Sequence, residues 1–196
     1  VRESSTRIDA ALNWLLERID IQSIEIDSGS EVDVIQEKLT GLPFIPSRRD
    51  MFLIGATLFL ASIFERDDDP SVLAIYRWLS LEGTKNKGLW FDRACSHNIL
   101  RAKVVHPVFA ADPATILVIE SLADIQSESG DWEEGLPFYQ TLNALAHLDI
   151  PAADKQLEKA FIRLSKTQKA DGSWSKTESE WNTFLAVHAL RNKGLL

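Results

Sequence analysis

Gln168-Lys169-Ala170-Asp171-Gly172-Ser173-Trp174 decides how this chain folds, because the chain repeats it. Gln126-Ser127-Glu128-Ser129-Gly130-Asp131-Trp132 has the same Gln-x-x-x-Gly-x-Trp spacing. Thr84-Lys85-Asn86-Lys87-Gly88-Leu89-Trp90 is a worn copy, with Thr in place of the Gln. Trp90, Trp132 and Trp174 stand 42 residues apart, and the glycines keep step with them. A period of this size predicts a stack of supersecondary units.

The same register extends on either side of the motif. Thr57, Thr141 and Thr183 fall in one column, with Ile99 in the remaining slot, and Ala102, Ala144 and Ala186 fall in another. A small residue recurring at one place on a helix predicts close approach by a neighbouring helix. Asp69-Pro70 and Asp112-Pro113 read as an N-cap followed by proline in the first turn, so a second helix opens after each. Each unit is therefore helix, turn, helix, then the Gln-Gly-Trp loop. No sustained two-residue alternation signals a strand.

The two helices of a unit differ. Residues 50–64 are apolar nearly all round, as in a helix buried on every side, whereas 156–169 carry Lys159, Arg163 and Lys166 on a polar face. The expected arrangement has apolar helices inside and amphipathic ones outside. The fold class is thus all-α, an α/α toroid or an arc of one, with about four helical hairpins. We expect a single domain over 1–196, in which residues 50–196 hold the repeats and 1–49 form atypical N-terminal helices. One of these spans residues 4–19, and a second runs from an N-cap at Ser30 to Thr40, with Gly41 as its stop.

Of the 196 residues, 45% are hydrophobic, enough for a real core, and the formal net charge is −8. That charge argues against nucleic acid or an anionic membrane as partner. The longest apolar run, Met51 to Phe64, is too short for a transmembrane segment. Cys95 is the one cysteine, so no internal disulfide exists and a reducing, cytoplasmic setting is expected. The chain lacks an initiator Met, which suits a trimmed chain or a piece of something longer.

Leu164 through Trp174, followed by Asn182-Thr183-Phe184-Leu185-Ala186-Val187-His188-Ala189-Leu190, resembles the repeat of terpene cyclases and protein prenyltransferases. The similarity covers roughly residues 50–196. It implies the toroid, and an isoprenoid or other apolar small molecule as ligand in its interior. A full ring in that family takes about six hairpins, so this chain would be an arc, a fragment of a larger cyclase, or a ring completed by self-association or by a partner protein. The repeat itself is architectural. Gln126, Gln168, Gly88, Gly130, Gly172, Trp90, Trp132 and Trp174 read as staples between hairpins: an amide for unpaired helix-end groups, a permissive backbone, and a flat ring with one N–H to place.

The resemblance also implies where chemistry would sit. Protonating cyclases carry Asp-x-Asp-Asp before the threonine, but here Ser179, Trp181 and Asn182 occupy those places. The family's zinc histidine aligns with Asn182, and Cys95 lies two residues too early to match its cysteine ligand. The motifs therefore support neither zinc nor magnesium. In Asp67-Asp68-Asp69, Asp69 before Pro70 reads as a helix cap rather than a catalytic or magnesium-binding group, and Ser71 stands where an Asp-Asp-x-x-Asp motif would need its last Asp. Glu178 and Glu180, just ahead of Thr183, are the candidate proton donors, with a plain helix-start role as the alternative. His97 and Arg101, four apart on one helix face, are candidates to meet a diphosphate, against a solvated polar face. Trp181 and Asn182 join them as candidate ligand-binding residues. Two readings stay open: an isoprenoid-handling domain, and a non-catalytic scaffold for protein–protein interaction.

Overall fold

The computed structural model describes residues 6–22, 24, 44–133 and 135–196. Among them are eight α-helices and no strand, so the protein is all-α. They are α1 (Thr6–Leu16), α2 (Arg49–Ile63), α3 (Pro70–Lys85), α4 (Arg93–Lys103), α5 (Pro113–Asp124), α6 (Phe138–Leu145), α7 (Pro151–Thr167) and α8 (Ser179–Asn192). A single 3-10 turn, Phe109–Ala111, precedes α5. The helix expected over Ser30–Thr40, with its stop at Gly41, lies outside the described residues. No described helix is long and apolar enough to cross a membrane.

Local chemistry sets the helix starts. Asp69 accepts from the Ser71 amide at 2.9 Å with Pro70 in the first turn, and Asp112 accepts from the Thr115 amide at 2.8 Å with Pro113 in the same role. Asp92 caps α4 through the Cys95 amide at 2.7 Å. Cys95 is buried, and burial pushes its thiol up to about 12. It packs as an inert thiol.

The helices pack in two rows. Helices α2, α4, α6 and α8 touch in succession, and so do α3, α5 and α7, with α4 against α5 and α6 against α7. Ala102, Ala144 and Ala186 are fully buried in the first row, as their column predicts. One expectation needs correction: α2 is not buried on every side. Leu53 and Leu60 are exposed, and among the described helices α2 packs mainly against α1 and α4.

The Gln-Gly-Trp loops tie the rows together. The Gln126 amide donates to the Gln156 carbonyl of α7 at 2.9 Å, and the Trp132 indole donates to Gln156 Oε1 at 3.0 Å. Gln156 Nε2 continues to the Ile119 carbonyl of α5 at 2.9 Å, so one buried amide links α5, the loop and α7. Trp90 and Trp174 donate to the Leu79 and Leu164 carbonyls, each at 2.8 Å. The last loop differs from its predecessor. Gln168 reaches only its own Gly172 carbonyl, at 3.0 Å, and is exposed.

A charge is buried at the C-terminal end of α4. Lys103 is 0% exposed and donates to Asp112 Oδ2 at 2.8 Å and to Ser80 Oγ at 3.0 Å. Burial pushes the Lys103 pKa down, and Asp112 only partly offsets it. Burial pushes Asp112 up, but the Lys103 charge and the hydroxyls of Ser80 and Thr115 outweigh it and hold the carboxyl below its ordinary value.

Candidate functional site

A cavity of about 390 Å³ opens against the row α2, α4, α6 and α8, lined by all four of these helices. Its volume falls in the range of small-molecule sites. The apolar wall comes from Phe59, Leu60 and Ile63 of α2 and from Phe184 and Leu185 of α8. Along α8 the rings form a ladder: Trp181 stacks on Phe184 at 5.4 Å, and Phe184 on His188 at 5.9 Å. Positions three and four apart share a helix face, so one stripe of α8 supplies a flat aromatic wall.

The polar groups converge from α4 and α6. Arg101 is 4% exposed, and its Nη1 donates to Asn143 Oδ1 at 2.9 Å and to the Gln140 carbonyl at 3.1 Å. Its Nε is buried without a partner, and no described carboxylate pairs with it. Burial lowers the guanidinium to about 10, which leaves it charged at neutral pH. Asn143 passes the connection on. Its Nδ2 faces the Leu185 carbonyl at 3.3 Å and donates to His188 Nδ1 at 2.9 Å, so one amide ties α4 through α6 to α8. Trp181 lines the same cavity, and its indole N–H is also buried without a partner.

The sequence-derived candidates separate on this geometry. Arg101 and Trp181 share the cavity. His97 and Arg101 are not on a solvated face, since both are buried. His97 lies one turn from Arg101 but does not line the cavity, and both of its ring nitrogens are unpartnered. Asn182 donates to the Thr177 carbonyl at 3.0 Å and secures the loop before α8. Glu178 stands at the start of α8 with a left-handed φ of 50°, Glu180 is exposed, and neither lines the cavity. Sequence reasoning missed Asn143, His147 and His188. Trp181, Phe184 and His188 at helical spacing were the available signal. Among the described residues, no three His, Cys, Asp or Glu side chains gather as metal ligands would.

All four histidines are held below their ordinary pKa, chiefly by burial: His97 to about 3, His147 to about 4, and His106 and His188 in the same direction. The Arg101 charge adds to the effect at His97, His147 and His188. His106 Nδ1 accepts from the Val108 amide at 3.0 Å, a bond that a proton there would break. The unfolded chain protonates His97 and His147 near pH 6.5 and the folded chain only nearer 3–4, so unfolding takes up protons across that window. The histidine contribution is therefore fully present above pH 6.5 and is lost as pH falls toward 4. At about 1.4 kcal/mol per unit the loss amounts to several kcal/mol. Urea midpoints measured from pH 7 down to pH 4.5 should drop steadily, and His97→Leu should make that slope shallower.

Comparison with protein-family models, curated proteins and solved structures finds no match to this chain.

Proposed function

We propose that this chain is an arc of α/α hairpins that binds an isoprenoid or other apolar ligand against the face of its inner helices. The cavity between α2, α4, α6 and α8 carries the reading, because its walls are aromatic and aliphatic while its polar groups are few and grouped. The two rows of helices and the buried staples support the arc, and the resemblance of the repeat to that of terpene cyclases and prenyltransferases supports the isoprenoid class. Binding rather than turnover is the activity proposed, since the acids that protonating cyclases use are replaced by Ser179, Trp181 and Asn182. Organic extraction of the purified protein followed by mass spectrometry is the test. The expected result is a retained apolar compound, or uptake of added farnesol and geranylgeraniol, with Glu178→Gln and Glu180→Gln leaving uptake unchanged. An empty protein that takes up neither prenol contradicts the reading.

One observation favours a second reading, a scaffold that associates through its last helix. Leu58, Leu100 and Leu142 occupy one column and are fully buried, yet Phe184 in that column is 55% exposed. Val187, 42% exposed, likewise follows the fully buried Ala61, Lys103 and Leu145. Sedimentation should then show self-association that Phe184→Asp with Val187→Asp abolishes, and a monomer at all concentrations counts against self-association.

A further inference from the structure

Two residues that line this cavity carry a buried donor with nothing to donate to: Arg101 its Nε, on α4, and Trp181 its Nε1, on α8. Buried polar groups in folded proteins are nearly always paired, so an unpartnered pair on one cavity points to a missing acceptor. Asn143 joins the two helices that carry these donors. It holds Arg101 Nη1 on one side and faces the Leu185 carbonyl on the other, and Leu185 lies one turn of α8 beyond Trp181. One turn is a rise of about 6 Å. With Nη1 committed to Asn143 and Gln140, the Nε edge of the guanidinium is the one left for a ligand.

We propose that the cavity takes an apolar chain ending in a carboxylate, with the carboxylate against Arg101 Nε and the Trp181 indole N–H and the chain along Phe59, Leu60 and Phe184. This inference rests on the cavity being a ligand site and adds the head group. The charge balance selects it. Arg101 is the one fixed cation among the lining residues, no lysine lines the cavity, and His147 and His188 are kept neutral near pH 7. A diphosphate would bring several negative charges to a site with one compensating charge. An alcohol would leave the guanidinium unneutralised, and no carboxylate in the lining would pair with a cationic ligand. A carboxylate matches both the charge and the edge-on geometry that guanidinium groups favour.

The test is calorimetric titration of the whole protein at pH 7 with farnesoic acid, farnesol and farnesyl diphosphate, which share one chain. Farnesoic acid is expected to bind tightest, and Arg101→Met to weaken it by about tenfold to hundredfold with little effect on farnesol. Trp181→Phe keeps the ring, removes the N–H, and should weaken the acid by about fivefold, an independent check if Arg101→Met does not fold. Equal binding of acid and alcohol, or preference for the diphosphate, overturns the head-group assignment and leaves the cavity reading standing. Failure of all three ligands overturns both.

Discussion

Asp112→Ala is expected to lower the stability of the protein by about 3–5 kcal/mol, the usual range for removing one partner of a buried ion pair. The carboxylate does two jobs. It caps α5 through the Thr115 amide, and it is the counter-ion of Lys103, whose ammonium is otherwise left with the Ser80 hydroxyl and the rings of Trp90 and Phe109 at 5.7 and 5.4 Å. Losing the cap alone would remove only about 1 kcal/mol. Lys103→Met in the same background should restore most of the larger loss, since Ala61 and Leu145 hold the same column with apolar side chains. For a chain of this size the single change should lower Tm by on the order of 10 °C. A loss near 1 kcal/mol, or no recovery in the double variant, would show that the buried pair carries little.

Gly130→Ala should likewise be severe, and Gly172→Ala mild, although the two glycines hold the same place in the repeated motif. Both have positive φ, +84° and +85°, so an added side chain is strained by about 1–2 kcal/mol in either case. They differ in what the new atom meets. At Gly130 it would lie 2.4 Å from the Lys159 carbonyl oxygen and 2.7 Å from its carbon, backbone atoms of α7 that cannot swing aside. At Gly172 there is nothing within 4 Å. The clash adds about 1–3 kcal/mol to the strain, so the two variants should be separated by roughly that amount in urea midpoints. Equal losses would mean that α7 shifts freely off the loop, and the close docking described for the second staple would be wrong.

Much of the fold was legible because it is written locally. Asp69-Pro70 and Asp112-Pro113 announce helix starts from adjacent residues, and the structure places a helix at each. The tryptophan spacing is equally readable, since each indole bonds a carbonyl or amide within its own or the next unit. What stayed hidden depends on contacts across the rows. Lys103 reads as an ordinary basic residue in the last turn of α4, and nothing local says that the cap of α5 will neutralise it. His97 and Arg101 read as a polar face because a sequence cannot show that α2, α5 and α6 all pack against α4. Asn143 sat unremarked between Thr141 and Ala144, though it joins Arg101 to α8. The candidate acids were placed by analogy with the position of Thr183, and the cavity formed elsewhere, around Arg101 and Trp181.

Ligand binding at the inner face is tested most directly through the indole N–H resonances of the six tryptophans, followed by NMR as farnesoic acid is added. Trp90, Trp132 and Trp174 already donate hydrogen bonds, whereas Trp181 has a buried N–H with none. The expected result is a saturable downfield shift of the Trp181 resonance, assigned with Trp181→Phe, while those of Trp90, Trp132 and Trp174 stay in place. A Trp181 resonance that does not move at saturating ligand would contradict the placement of the site.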